Sequence, residues 1–117
     1  MTEQAVKHPW VIPWDDARKR VHARGFAMPF INPDLCGSEV LRVHMSVINP
    51  GEESHAPHTH AGEDVTFILE GTGLARIGEE EIPVGPLTAL FAPEGVLHGL
   101  RNTGDTPIKY LVIRTSA

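Results

Sequence analysis

The sequence predicts an all-β domain, and three observations lead there. Eleven Gly and ten Pro punctuate the 117 residues at short intervals. The segments between them are apolar or β-branched runs of strand length, and only one short stretch has helical character. Regular short strands with Gly and Pro turns and no alternating helices indicate a sandwich, barrel or jelly roll rather than a parallel α/β sheet.

The elements follow in chain order. Residues 1–25 read as an irregular N-terminal arm with one helical piece at Asp15–Val21, starting near Trp14 or Asp15 and ending before Gly25. Trp10 and Trp14 must dock, because two exposed indoles leave a large apolar area in water; they cover either their own barrel or a second subunit. The β domain is expected over 26–117. Along Glu39–Ile48, Leu41, Val43, Met45 and Val47 share one face while Arg42, His44 and Ser46 share the other. The polar face is most simply the solvent side; the rival reading has His44 or Arg42 lining a pocket and orienting an anionic substrate. Asn49-Pro50-Gly51 turns the chain, His55–His60 is short and extended, and Val65–Leu69 is a near-continuous apolar strand of the buried kind. Gly71-Thr72-Gly73 connects to Leu74–Ile77, and Gly78-Glu79 sets up a hairpin to Glu81–Val84. Thr88–Ala92, Val96–Arg101 and Ile108–Arg114 complete the series.

Composition bounds the function. A chain of 117 residues, 41% hydrophobic, has room for one domain with a compact core. Lys and Arg number 10 against 15 Asp and Glu, for a net charge of −5, and the basic residues are scattered apart from Arg18-Lys19-Arg20. That pattern argues against nucleic acid or an anionic membrane as partner, since both require a concentrated basic surface. Cys36 is the single cysteine, so no intrachain disulfide forms and the chain reads as intracellular, its thiol a small buried hydrophobe. Met1 to Lys7 is polar, Pro9 and Pro13 interrupt the apolar stretch around Trp10 and Ile12, and no apolar run approaches the roughly 20 residues that span a bilayer. A soluble cytoplasmic protein is expected.

The chemistry concentrates in His58-Thr59-His60 with Asp64, answered by His98 in Pro93-Glu94-Gly95-Val96-Leu97-His98. On an extended strand, residues i and i+2 project the same way, so His58 and His60 can grip one ion, and Asp64 keeps that parity. His98 then has to arrive from another strand, which a sheet folded back on itself arranges. With seven histidines in the chain, a lone His-x-His pair is a weak signal, but Pro93-x-Gly95-x-x-His98-x-x-x-Asn102 adds a second cluster. There a Pro-Gly turn would start a strand and aim His98 inward, and Asn102 could hold a loop in place.

These residues resemble the cupins, whose two motifs read G-x5-H-x-H-x3,4-E-x6-G and G-x5-P-x-G-x2-H-x3-N. The first corresponds to Gly51 through Gly71, with six residues between Gly51 and His58 and with Asp64 where the family usually has Glu. Counting six residues back from Gly71 selects Asp64, leaving Glu63 as the fallback if Ala61-Gly62 shifts the register. In the second, seven residues separate Gly85 from Pro93, and everything from Pro93 to Asn102 fits. The resemblance covers about residues 39–114 and implies a double-stranded β-helix, or jelly roll, often a homodimer, with a metal deep in the barrel mouth. It implies His58, His60, Asp64 and His98 as ligands of one divalent transition metal ion, and the donor set suits Fe, Mn, Ni, Cu or Zn. Asp reaches roughly 1.5 Å less far than Glu, so either the backbone comes closer or the fourth ligand is weak or water-bridged.

Open metal positions would let a substrate with adjacent oxygens chelate. The resemblance therefore implies an enzyme acting on a small oxygenated organic molecule, most simply of the dioxygenase type. An isomerase, lyase or cyclase on a sugar or polyketide-like compound is the alternative, and a non-catalytic small-molecule binder is the third reading. His55 is expected at the surface or rim, Thr66, Phe67 and Ile68 in the barrel wall, and Tyr110, His44 and Arg42 are candidates for a catalytic or substrate-orienting role.

Overall fold

Nine strands lie among the residues described by the computed structural model, which are 8–53 and 55–115. They are β1 (Arg20–His22), β2 (Gly25–Ile31), β3 (Leu41–Ile48), β4 (Asp64–Glu70), β5 (Gly73–Ile77), β6 (Glu80–Val84), β7 (Thr88–Ala92), β8 (His98–Arg101) and β9 (Ile108–Thr115). A six-stranded antiparallel sheet runs β1-β2-β3-β9-β4-β7, and a three-stranded sheet runs β6-β5-β8. The architecture is a jelly roll, as the turn spacing and motifs imply.

Register decides what faces inward. Partners directly opposite in antiparallel strands share a face. Across β3, β9 and β4 one such set begins at Ile48 and Ile108, passes Ser46, Tyr110 and Ile68, then His44, Val112 and Thr66, and ends at Arg42, Arg114 and Asp64. Ile48, Ile68 and Ile108 are fully buried and pack with Ala75, Leu100, Tyr110 and Val112 as the core. The interior is thus apolar at its closed end and polar toward its mouth.

This corrects the expectation for β3. Ser46 is buried and His44 half-buried, and both line an interior cavity, so the polar face is the inner one. Alternation identifies two faces but not which is inside, and a barrel that holds a polar site in its mouth reverses the usual assignment. Leu41, Val43, Met45 and Val47 belong to the outer face, where Met45 lies opposite the fully buried Met28.

The N-terminal region also differs from expectation. In place of a helix over Asp15–Val21, a single 3-10 turn covers Asp16–Arg18, capped by the Asp15 carboxylate accepting from the Ala17 amide at 2.9 Å. Propagation stops because Arg20 and Val21 pair with Ala27 and Phe26, a ladder that outweighs one further helical turn. The β1–β2 hairpin and the short helix α1 (Pro33–Cys36), capped by Asn32, carry no clear alternation in the sequence. Trp14 packs edge-on against Phe26 and remains 46% exposed, and Trp10 is 75% exposed. Cys36 is a free, half-buried thiol. Met1 to Lys7, read above as polar, lie outside the described residues. No helix among the described residues is long and apolar enough to cross a membrane.

Two motif residues hold the framework. Asn102 is 1% exposed; its amide donates to the Ile48 carbonyl at 2.9 Å and the Thr106 carbonyl at 2.8 Å, and its oxygen accepts from the Gly104 amide at 2.9 Å. The loop leading to β9 is thereby tied to the end of β3. Gly71 has φ +93°, and a Cβ there would lie 2.6 Å from the Pro107 carbonyl oxygen and 2.8 Å from the Ile108 Cα. Backbone has to give way for any side chain at this position.

Gly71→Ala is therefore expected to cost about 2 to 4 kcal/mol of unfolding free energy, through steric conflict added to the left-handed conformation. Gly78→Ala, with φ +60° but open space around the added methyl, should cost only about 1 kcal/mol. Urea unfolding of the two variants measures the difference, and equal costs would contradict the close approach.

Candidate metal centre

The two motif segments are joined through their backbones. His58 and His98 exchange a reciprocal pair of hydrogen bonds, N–H to carbonyl at 3.0 Å in both directions, although His58 belongs to no continuous strand. The expected extended segment His55–His60 is thus a loop with one bridge. The Gly95 amide donates to the His60 carbonyl at 3.2 Å, and the Gly62 amide donates to the Glu94 carboxylate at 3.0 Å. Gly95 and Gly62, at φ +78° and +83°, supply the left-handed turns that let the loops meet. The Val96 amide closes the Pro93 turn at 3.1 Å, and β8 then starts with His98.

The side chains converge as a consequence. One ring nitrogen from each of His58, His60 and His98 lies within 4.8 Å of the others. Asp64, buried at the start of β4, places Oδ2 3.1 Å from His60 Nε2 and 3.3 Å from His98 Nε2. Glu63, the fallback, is exposed, and its main chain pairs with Thr115. A one-residue step along the strand turns its side chain away from the cluster.

The protonation pattern explains what this cluster suits. His60 Nδ1 lies 2.9 Å from the Ala61 carbonyl and His98 Nδ1 2.9 Å from the Val96 carbonyl. Carbonyl oxygens only accept, so in the neutral imidazoles Nδ1 carries the hydrogen and Nε2 the lone pair. Both lone pairs then face a carboxylate oxygen that also only accepts. His98 Nε2 and Asp64 Oδ1 are buried without hydrogen-bond partners. Such a focus of lone pairs calls for a cation, and donors about 2.1 Å from one ion lie roughly 3.0 to 3.4 Å apart. Anchoring Nδ1 on a backbone carbonyl is also how metal-binding imidazoles are oriented. His58 differs: its Nδ1 is 3.1 Å from Nδ1 of His55, whose ring lies tilted beside it at 4.2 Å between centroids.

A cavity of about 380 Å³ opens beside the cluster. His55 is exposed at its rim, while His44, Tyr110, Ser46, Thr66 and Arg114 form its wall. His44 and Tyr110, two of the candidates, thus face the site. Arg42 does not; it is exposed and lines a neighbouring recess with Arg20. Sequence reasoning missed Arg114. Its signal was available, since Tyr110, Val112 and Arg114 alternate and share one face of β9.

Residues 44–114 match the cupin domain model, and the chain belongs to that family. It is 30% identical over 73 residues to the mannose-1-phosphate guanylyltransferase RfbM of Salmonella typhimurium, covering 62% of this chain and 15% of that protein. It is 29% identical over 65 residues to an oxalate-binding protein of Thermotoga maritima, covering 55% of this chain and 54% of that one. The chain therefore matches only a small part of the first relative and about half of the second. Among solved structures, TT1209 from Thermus thermophilus superposes with a TM-score of 0.73 at 29% identity, over 90% of this chain and 97% of that one.

Burial holds His58 at about 4, below the ordinary 6.5, and the neighbouring His55, His98 and His60 add to the shift while Asp64 opposes it. Burial likewise lowers His44, with Asp64 opposing and Arg114 reinforcing. Both imidazoles are neutral in the folded chain, whereas in the unfolded chain they take up protons near 6.5. The unfolded state thus binds more protons below that pH. Their contribution is complete above 6.5 and is lost as pH falls below it, that of His58 down to about 4. Urea unfolding of the metal-free protein across this range is expected to show stability falling with acid. His44→Gln should flatten the slope; an unaltered slope contradicts the assignment.

Proposed function

We propose that this cupin is a mononuclear metal-dependent enzyme acting on a small oxygenated organic molecule, with His58, His60, His98 and Asp64 holding the ion. The observation that carries the reading is the meeting of the His60 and His98 Nε2 lone pairs with the Asp64 carboxylate at 3.1 and 3.3 Å in a cavity mouth. The bound metal would supply Lewis acidity and, where redox-active, electron transfer. The protein's part is to keep His58 neutral, fix the His60 and His98 rings on backbone carbonyls and offer a polar wall of His44, Ser46, Thr66 and Tyr110 above an apolar floor. A dioxygenase-type reaction is the finer proposal, and it rests on the likeness of three histidines plus a carboxylate to the ligand sets of cupin oxygenases. A second reading, metal-dependent binding without turnover, is favoured by the sequence similarity to a protein named for binding oxalate.

A cytoplasmic setting, consistent with the single cysteine, and a homodimer belong to the same proposal. The dimer reading is supported by the outer face of the large sheet. Val43, Val65, Phe67, Leu111 and Ile113 are only half-buried there, and Phe91 is 52% exposed.

Reconstitution with Fe(II), Mn(II), Ni(II), Cu(II) or Zn(II) is expected to give one ion per chain by elemental analysis. His98→Ala should abolish that uptake and lower the thermal midpoint. With candidate diols and diketones, oxygen consumption specific to the Fe(II) form supports the dioxygenase. Turnover without oxygen consumption assigns an isomerase, lyase or cyclase, and saturable binding without turnover supports the binder. A wild-type chain that takes up none of these ions would overturn the metal-dependent reading.

A further inference from the structure

Arg114 is the unexplained group of the cavity. It stands on β9 directly opposite Asp64 on β4 and Arg42 on β3, and it lines the same cavity as His44, Ser46 and Tyr110. Its Nε is buried without a hydrogen-bond partner, and the guanidinium has no ion pair within reach among the described residues. The carboxylate across the strand pair forms no ion pair with it: Asp64 Oδ2 lies against His60 and His98, and Oδ1 is buried without a hydrogen-bond partner. Arg114 is half-buried, and a buried Nε donor of a charged guanidinium left without a partner is costly. Groups left in this condition in a cavity wall are where an anionic ligand completes the structure.

We infer that Arg114 is the anion-recognising residue of this cavity and that the site takes a small carboxylate with a second oxygen on the adjacent carbon, such as a 2-hydroxy acid. Three features narrow the class. Asp64 is the sole acidic residue in the lining among the described residues, and its Oδ2 lies against His60 and His98. One planar guanidinium matches the two coplanar oxygens of a carboxylate, whereas the further arginines that a phosphate dianion would call on, Arg20 and Arg42, face the neighbouring recess. The cavity of about 380 Å³ suits a small molecule, and the Ser46 and Tyr110 hydroxyls and the His44 imidazole in its wall suit neutral oxygens. The inference deepens the proposed function and rests on that metal reading only for the second oxygen, which would face the histidines.

The test compares lactate with lactamide, its neutral counterpart, on the metal-loaded full chain by ligand-observed NMR titration, with metal content measured on every sample. Wild type is expected to prefer lactate by about 10- to 100-fold, the range of a charge-assisted hydrogen-bonded pair. Arg114→Gln should erase the preference with metal content unchanged. Arg114→Lys keeps the charge but not the fork and should bind lactate about tenfold more weakly than wild type, which also serves should the Gln variant fail to fold. A preference that survives Arg114→Gln, or a wild type that does not discriminate, would overturn the inference. Absence of metal in wild type would instead remove the metal reading, and the lactate preference and its dependence on Arg114 would then be measured on the metal-free chain.

Discussion

The reciprocal backbone pair between His58 and His98, 3.0 Å in each direction, is the contact on which the site depends. It fastens a loop that belongs to no strand onto the first residue of β8, so that two motifs 40 residues apart present their imidazoles together. Gly95 to His60 and Gly62 to Glu94 extend the fastening on either side. The rest of the jelly roll brings a carboxylate to the same point, because the β4–β9 register sets Asp64 facing in while Glu63 is exposed. Local hydrogen bonds and global sheet register thus aim at one point, which is how a constellation of side chains is held with little freedom.

A second constraint is the polarity gradient along the interior. The isoleucine floor excludes water and supplies the core, while successive inward positions become hydroxyl, imidazole and finally charge. Low polarity below keeps His44 and His58 neutral, and neutral imidazoles are the form that can bind a metal. Arg114 sits at the polar end, where its charge reinforces the neutrality of His44.

Much of this was legible in the sequence, for definable reasons. The strands from β3 to β9 were bounded by Gly and Pro turns and carried strand-length apolar runs, and the histidine pair gained meaning from Gly71 and from Pro93 to Asn102. Three things were not legible. The β1–β2 hairpin and the 3-10 turn depend on pairing partners that no local pattern announces. The inner face of β3 was misassigned, because hydrophobic alternation assumes an apolar inside. Arg114 was passed over because a strand-terminal arginine resembles a solvated charge until register places it opposite Asp64. Asn102, read only as a possible loop holder, proves to be a buried side chain that makes three hydrogen bonds.

The central claim is that three imidazoles and the Asp64 carboxylate enclose one ion. X-ray absorption spectroscopy of the zinc-loaded chain tests it most directly, because multiple scattering counts imidazole ligands. The account predicts three imidazole nitrogens and a carboxylate oxygen about 2.0 to 2.2 Å from the metal, with Asp64→Asn altering the oxygen shell alone. A spectrum with two imidazoles or fewer, or one indifferent to Asp64→Asn, would contradict it.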